Sequence, residues 1–269
     1  MSPVTSPDED APPPVTSVNE HGASRYVLLC EHASNHIPEA YRGLGLKTDD
    51  LARHIAWDIG AAELARLMST LLDAPLFLSG YSRLLIDCNR PPGAPTSIPT
   101  LSEATRIPGN HHLEASERAR REAAYFAPFQ AEVARHLDRR AQLGRSATVL
   151  GIHSFTPMFL GIARPWHVGV LHSGATGFGR ALIARLAKEP GPPVGDNEPY
   201  RIEPEHDYTV PVHGDARGLD AALIEVRQDL LQAPGGPPAW AQRLGAALAD
   251  LAVPRASPQG GPGAAMLRS

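Results

Sequence analysis

The sequence predicts a three-layer α/β/α domain built around a mostly parallel central sheet. Short, β-rich apolar runs alternate along the chain with longer segments of helical periodicity, and strands separated by helices are typical of such sheets. Polar and titratable residues follow several of these runs directly, where open α/β sheets bind their ligands. The chain has 269 residues, of which 42% are hydrophobic, and is long enough to bury the core of one such domain.

Six apolar runs have the length and composition of fully buried strands. They span residues 26–30, 75–79, 82–88, 147–153, 167–172 and 220–226. Helical spacing of apolar residues predicts a first helix over 48–72, with Thr48 or Asp49 as its N-cap. A second helix is predicted from about 113 to 143, with a kink near Pro128, and two more over 178–188 and 239–251.

The two ends of the chain differ in composition from its centre. Residues 1–23 are rich in proline, serine and acidic residues, and residues 254–269 are equally poor in core-forming side chains, so both are predicted to be mobile tails. One folded domain is expected over residues 24–253. Inside it, the Pro/Gly-rich stretches 91–110, 190–200 and 232–239 are predicted to be long loops, which are often functional.

Composition and charge exclude several classes of function. A formal charge of -4 gives no reason to expect nucleic acid or an anionic membrane surface as partner. No stretch approaches the roughly 18 consecutive apolar residues of a membrane span, and the first residues do not have the pattern of a secretory signal. Cys30 and Cys88 lie in apolar runs and are expected to be reduced core residues. These features predict a cytoplasmic protein, and they do not predict an oligomeric state.

Polar side chains follow five of the predicted strands and are expected to converge on one edge of the sheet. These are Glu31 and His32; Asp87, Asn89 and Arg90; His153 and Ser154; His172 and Ser173; and Glu225, Arg227 and Asp229. Imidazoles and carboxylates are the usual ligands of catalytic zinc. Neither an HExxH nor a CxxC motif is present, so the prediction of a zinc site depends on the geometry of the fold.

A set of motifs resembles a known family. In chain order they are CEHASNHIP, HIAWDIGA, YSRLLIDCNRPP, GIHSFTP, NEPY and LIEVRQDLL, and together they are similar to the N-formylglutamate amidohydrolase family over about residues 25–252. The resemblance implies a zinc-carboxypeptidase-like (phosphorylase/hydrolase-like) fold and one zinc ion. It also implies hydrolysis of N-formyl-L-glutamate, or of a similar N-acyl amino acid, to formate and L-glutamate.

Metal ligands are expected among the histidines and carboxylates of these motifs. His32 and His153 follow apolar strands directly and are predicted to be ligands. The wider group of zinc carboxypeptidases and related deacylases takes two ligands from a His-x-x-Glu pair, but here Asn35 stands three residues after His32. The carboxylate ligand must come from elsewhere. Asp58 is the first choice, and Glu31 or His36 are alternatives.

Glu225 is the candidate general base. It lies between apolar neighbours in a predicted strand, and a buried carboxylate is costly unless it is paired or held in a site. The resemblance implies that the general base of the family is here. A carboxylate in this role accepts a proton from water that the metal ion has activated. The alternative is an ion pair between Glu225 and an arginine in the core.

Two arginines are candidates for contacts with a small anionic substrate, because a guanidinium can bind a carboxylate with two parallel hydrogen bonds. Arg83 is assigned a catalytic role in polarising the scissile carbonyl, and Arg90 is expected to bind the substrate carboxylate together with Asn89. The remaining predicted substrate contacts are His36, Ser154 and Arg227.

Three other functions remain open at this stage. The first is hydrolysis of another N-acyl amino acid or a small peptide, since the fold and its zinc chemistry serve several substrates. The second is a non-catalytic binding protein that retains the fold, because Asn35 replaces an expected acidic ligand. The third is a serine hydrolase that uses Ser154 or Ser173, although neither lies in a G-x-S-x-G motif.

Overall fold

The computed structural model describes residues 11–252 except 176, 189 and 192. Its strands form one central sheet and two short hairpins. In chain order they are β1 (Val15–Val18), β2 (Tyr26–Cys30), β3 (Leu76–Ser79), β4 (Leu101–Ser102), β5 (Thr105–Arg106), β6 (Thr148–Phe155), β7 (Met158–Phe159), β8 (Ile162–Ala163), β9 (Val168–Leu171), β10 (Gly195–Asp196) and β11 (Asp220–Arg227). The pairs β4–β5 and β7–β8 are the hairpins.

The helices vary in length from one turn to five. In chain order they are α1 (Thr48–Leu51), α2 (Ala61–Leu72), α3 (Ala115–Arg121), α4 (Ala127–Gln142), α5 (Phe178–Leu186), α6 (Gln228–Gln232) and α7 (Gly236–Ala252). Short 3-10 or π-helical turns lie at Glu39–Gly45, Pro108–Asn110, Glu122–Phe126, Thr209–Gly214 and Asp215–Arg217. Within the described part of the chain, none of the helices combines the length and apolarity that crossing a membrane requires.

The central sheet has seven strands in the order β1-β3-β2-β6-β11-β9-β10. The four strands β3, β2, β6 and β11 run parallel to one another. β1 is antiparallel to β3, and β9 is antiparallel to β11 with β10 beside it in the direction of β9. The predicted mostly parallel sheet is therefore confirmed, with antiparallel strands at both of its sides.

Helices cover both faces of the sheet. On one face, apolar residues of α2, α5 and α7 pack against inward side chains of the strands, such as Leu28 and Ile152. On the other face, α4 contributes Phe129, Val133 and Leu137 to a second buried cluster. The three-layer α/β/α architecture predicted from the sequence is confirmed.

The predicted helix over 48–72 is interrupted in the structure. It ends at Leu51, and a helix resumes at Ala61 after a series of turns that contains Asp58. The apolar spacing continues through the turns because Ile55 and Ala56 are buried in a separate cluster, not against the sheet. Lys47 is the N-cap residue of α1 and makes no side-chain capping bond. Similarly, the predicted helix over 113–143 consists of α3, a π-helical turn and α4, which begins one residue before Pro128.

The apolar run 82–88 was predicted to be a strand, and this is wrong. The segment is buried but folds as turns, because its backbone is committed to other bonds. The Leu85 amide donates to the Ser82 carbonyl at 2.9 Å and the Asp87 amide to the Ser97 carbonyl at 2.8 Å. These amides are therefore unavailable for a strand ladder.

The prediction of a mobile tail over 1–23 is wrong for its second half. β1 pairs with β3 from Val15 opposite Ser79 to Val18 opposite Leu76, and half-buried Val15 and Val18 pack against the two core clusters. The Tyr81 hydroxyl also donates to the Pro12 carbonyl at 2.7 Å. Backbone pairing and a few apolar contacts are enough to order this Pro-rich segment. Residues 1–10, and the predicted tail over 254–269, lie outside the described residues.

One of the five predicted strand ends does not reach the common edge. β9 runs antiparallel to β11, so its last residues, followed by His172 and Ser173, lie at the opposite edge of the sheet. The neighbouring parallel strands β2, β6 and β11 end together, which brings His32, His153 and Glu225 to one edge.

Candidate active site

A cavity of about 550 Å³ opens at the edge where β2, β6 and β11 end. His32, Asp58, His153 and Glu225 lie in its wall, together with the turns after β3. The long loops also contribute. Residues of the β4–β5 hairpin line one part of the cavity, and Tyr200 with its neighbours lines another. Two of the three loops predicted from the Pro/Gly-rich composition therefore reach the site.

Three buried side chains meet at the base of this cavity. Nδ1 of His32 lies 3.3 Å from Oδ2 of Asp58, and Nδ1 of His153 lies 2.8 Å from the same oxygen. One ligand atom from each residue lies within 4.8 Å of those of the other two. Asp58 lies in the turns between α1 and α2, and its backbone amide donates to the His32 carbonyl at 3.0 Å. This bond fixes the Asp58 carboxylate beside the end of β2.

The other ring nitrogens of the two histidines face carboxylates. Nε2 of His32 lies 2.7 Å from Oδ1 of Asp87, and Nε2 of His153 lies 3.1 Å from Oε2 of Glu31. The second contact has the distance of an ion pair but not the angle of a hydrogen bond. Glu31 also accepts a hydrogen bond from the Thr209 hydroxyl through its other oxygen. Such carboxylate partners fix the ring orientation of metal-binding histidines.

The arrangement of these polar atoms fits a bound cation. If each imidazole is neutral and carries its proton on Nε2, the nitrogen that faces Asp87 or Glu31, both Nδ1 lone pairs face an oxygen of Asp58. Three acceptors then converge in a buried space, and a metal ion satisfies all three. Without a cation, burial opposes a charge on His153, but Glu31 and Asp58 raise its pKa well above the usual value. The residues His32, Asp58 and His153 can therefore hold a metal ion, and we call them the metal trio.

Glu225 lies beside the metal trio as a buried carboxyl group. It is opposite His153 in the β6–β11 register, it is 6% exposed, and its Oε2 atom has no hydrogen-bond partner. Among the described residues, no arginine forms an ion pair with it, in contrast to the alternative that the sequence left open. Burial raises the pKa of Glu225 to about 7. A carboxyl group in this state can both accept and donate a proton near neutral pH.

The two candidate substrate arginines line the cavity, and each is paired with an aspartate. Nε and one terminal nitrogen of Arg83 donate to Oδ2 of Asp87 at 3.1 and 2.8 Å. A terminal nitrogen of Arg90 donates to Oδ1 of Asp207 at 2.8 Å. Asn89 also lines the cavity, and its Oδ1 accepts from the Thr209 amide at 2.9 Å, which leaves the amide NH₂ group to donate.

Other predicted site residues are not brought into the cavity. The His36 ring packs edge-on against Tyr81, and Asn35 donates to the Leu51 carbonyl at 2.9 Å. Arg227 pairs with Asp229 at 2.8 Å. Neither His36 nor Arg227 is among the residues that line the cavity, because the chain turns away from the edge after each strand.

The two serines do not have the partners of a hydrolase nucleophile. Ser154 lines the cavity, but its hydroxyl donates to the Ile59 carbonyl at 2.9 Å. Ser173 lies at the opposite edge of the sheet and donates to Asp215 at 2.9 Å. Among the described residues, no histidine is hydrogen-bonded to either hydroxyl. The geometry therefore does not favour the serine-hydrolase alternative.

Sequence reasoning missed several residues that shape the cavity. Phe159 belongs to the β7–β8 hairpin, Asp207 pairs with Arg90, and Tyr200 ends the NEPY motif. Only Tyr200 has a signal in the sequence, because it ends the NEPY motif. The two-residue strands β7 and β8 are too short for any periodicity to be read.

We predict different effects for two carboxylates near the metal trio. Asp58→Asn should lower the metal affinity far more than Glu31→Gln, because Asp58 faces both Nδ1 atoms whereas Glu31 contacts a distal nitrogen. Loss of such an outer partner typically costs about 10–100-fold in metal affinity. A titration of metal-free protein with zinc measures both values, with Glu117→Gln, a carboxylate variant outside the cavity, as control. The reverse order would assign the ligand to Glu31.

Comparisons with known proteins agree with the sequence motifs. The family described as N-formylglutamate amidohydrolase matches residues 24–232. The crystal structure of a gene product from Agrobacterium tumefaciens is similar at 37% identity with a TM-score of 0.85, and the match covers 90% of this chain and 97% of that chain. An N-formylglutamate amidohydrolase from Ralstonia eutropha JMP134 has the same fold, with 18% identity, a TM-score of 0.64 and coverage of 88% and 96%. No curated protein matches the chain.

Proposed function

The chain belongs to the N-formylglutamate amidohydrolase family, and from this premise we propose that it is a zinc-dependent hydrolase of N-formyl-L-glutamate or a similar N-acyl amino acid. The observation that supports the proposal is the position of Glu225, a buried carboxyl group whose Oε2 atom has no hydrogen-bond partner among the described residues, beside the metal trio in one cavity. A proton-transfer group next to a three-ligand metal site is the arrangement that metal-assisted amide hydrolysis requires.

His32, Asp58 and His153 would hold one divalent ion. A bound zinc ion lowers the pKa of water to about 7 and polarises carbonyl groups. The protein residues fix this site from outside, since Asp87 and Glu31 orient the two imidazoles. The Ser154 amide also donates to Oδ2 of Asp58 at 3.3 Å, which restricts the rotation of that carboxylate.

Glu225 is the general base and then the general acid. It accepts a proton from the attacking water as the oxygen–carbon bond to the acyl carbon forms. It returns this proton to the nitrogen as the carbon–nitrogen bond breaks, and the amine leaves. With N-formyl-L-glutamate the products are formate and L-glutamate.

Arg83 stabilises the negative charge that develops on the carbonyl oxygen. It lines the cavity and donates to Asp87 and, through its other terminal nitrogen, to Oδ1 of Asp58 at 3.4 Å, and of its five N–H groups these bonds leave two to donate to a substrate. Arg90 and the NH₂ group of Asn89 bind the substrate carboxylate. Donors that are already held in place contribute most to such stabilisation, because no reorganisation is needed during the reaction.

The proposal is tested by measuring zinc content together with formate release from N-formyl-L-glutamate. We expect about one zinc per chain, formate release that a chelator removes, and recovery when zinc is added back. Hydrolysis of other N-acyl amino acids without N-formyl-L-glutamate would retain the chemistry and change the substrate. A chain that binds no metal and hydrolyses none of these compounds would be a binding protein that retains the fold.

Arg90→Lys is expected to raise KM for the substrate with a smaller effect on kcat. Lysine keeps the positive charge but loses the planar fork that holds a carboxylate with two bonds. A mutation that weakens substrate binding equally in the ground state and in the transition state raises KM and leaves kcat unchanged. Steady-state kinetics measure both constants, and Arg135→Lys, on the exposed side of α4, is the control. An unchanged KM would mean that Arg90 only pairs with Asp207.

A further inference from the structure

One part of the cavity wall has no role in the proposed chemistry. Phe155, Phe159 and Tyr200, here called the aromatic wall, line the cavity around the buried side chain of Arg164, which does not line it. The guanidinium carbon lies 4.5 Å from the ring centre of Phe159, 4.7 Å from that of Tyr200 and 5.9 Å from that of Phe155. A terminal nitrogen of Arg164 also donates to the Tyr200 hydroxyl at 3.0 Å.

Arg164 holds the aromatic wall in a fixed position. Its amide donates to the Pro157 carbonyl at 2.9 Å, and its carbonyl accepts from Arg227 at 3.3 Å. It forms no ion pair with any residue that the structure describes, so its charge is balanced by the faces of the rings. All three rings thus surround this cation and also line the cavity. The wall is therefore a fixed aromatic surface beside the charged groups of the site.

The cavity is larger than a short dicarboxylate requires. Its volume of about 550 Å³ is in the range that holds drug-sized ligands. Among the described residues, its lining has three arginines, two of them paired with aspartates, against six carboxylates. The carboxylates are Asp58, Asp87, Glu103, Glu203, Asp207 and Glu225. Four of these carboxylates are already paired with arginines: Asp58 and Asp87 with Arg83, Asp207 with Arg90, and Glu103 with Arg53. The part of the cavity beside the aromatic wall is therefore left for an uncharged group of the substrate.

The apolar surface continues beyond the cavity on the β7–β8 hairpin. Met158, Leu160 and Ile162 flank Phe159 in the hairpin and are 51%, 66% and 71% exposed. Three exposed apolar side chains together are unusual, and exposed apolar surface beside a ligand cavity marks a binding surface. The position of Phe159 connects this surface to the aromatic wall.

We infer that the aromatic wall binds a large apolar group of the substrate. The preferred substrate is then an N-acyl amino acid with a large apolar group, carried either by the amino-acid side chain or by the acyl group. This inference rests on the proposed function and narrows its substrate class.

The test compares four substrates with the zinc-loaded protein: N-formyl-L-phenylalanine, N-hexanoylglycine, N-formylglycine and N-formyl-L-glutamate. We expect kcat/KM for at least one of the two apolar compounds to exceed that for N-formyl-L-glutamate about 10-fold or more, and the better one identifies which side of the amide carries the apolar group. If N-formyl-L-glutamate is the best of the four, the inference is overturned and the proposed function stands. If none is hydrolysed, the proposed function itself fails.

Phe159→Ala tests the wall directly. The ratio of kcat/KM for the better apolar compound to that for N-formylglycine should fall by about 10–100-fold, because an apolar contact is lost for one substrate only. Zinc content and thermal unfolding show whether the variant is intact. Leu143→Ala removes an exposed apolar side chain at the end of α4, outside the cavity, and should leave the ratio unchanged. An unchanged ratio in Phe159→Ala would overturn the inference.

Discussion

Alanine in place of His32 or of His153 is expected to remove the metal and abolish turnover while the fold survives. Each histidine provides one of the three atoms of the metal trio, so two ligands remain and affinity falls beyond the 10–100-fold typical of an outer partner. The fold should persist because the carboxylates left behind keep other partners. Asp87 still pairs with Arg83, and Glu31 still accepts from Thr209.

The measurement is zinc bound per chain after dialysis, together with formate release and thermal unfolding. His136→Ala is a matched control, because His136 is also buried but packs against Phe77 on the far face of the sheet. It should retain zinc and activity even if its stability falls. Full zinc occupancy in either trio variant would show that the metal site lies elsewhere in the protein.

Glu225→Gln is expected to lower kcat by about 10²–10⁴, the range for loss of a positioned acid–base group. Glutamine preserves shape and burial but cannot accept the proton. Metal content and substrate affinity should change little, since Glu225 is outside the metal trio and its effect is on the transition state. Stability should stay equal or rise, because a buried carboxylate without a hydrogen-bond partner on one oxygen is replaced by a neutral amide.

Asp229→Asn is the control for this variant, because Asp229 follows the same strand but lies outside the cavity. A nearly normal kcat in Glu225→Gln would refute the proton-transfer role. A loss of kcat together with a loss of zinc would instead indicate that Glu225 supports the metal site. Thermal unfolding separates both cases from a structural role. If Glu225 were needed for the core, the Glu225→Gln protein would unfold at a lower temperature than the unchanged protein.

The strands that were predicted correctly are those whose apolar runs are bounded by clear breaks. β2, β6, β9 and β11 read as short β-rich segments, and each lies where the sequence placed it. The run 82–88 has the same composition but is buried as turns, and the helical spacing of 48–72 continues through a non-helical segment. Hydrophobic periodicity reports burial, and it does not distinguish a strand from buried turns or a helix from its interruption.

The site could be predicted in part because strand ends are local features of the sequence. His32, His153 and Glu225 follow or end parallel neighbours, and the sheet brings them together. The direction of β9 could not be read from its apolar run, so Ser173 was placed at the wrong edge. The distinction between Asp58 and Glu31 also depends on which imidazole nitrogen each carboxylate faces, and this is a property of the folded chain alone.

The position of β1 has a consequence for how the domain is delimited. The family match begins at residue 24, after β1, although β1 is the outermost strand on its side of the sheet. A protein shortened to that boundary would expose the backbone amides and carbonyls of β3, whose side chains are apolar throughout except for Ser79. Unpaired edges of this kind recruit strands from other molecules. Strand β1 therefore covers this backbone edge of β3, although it lies outside the residues that match the family.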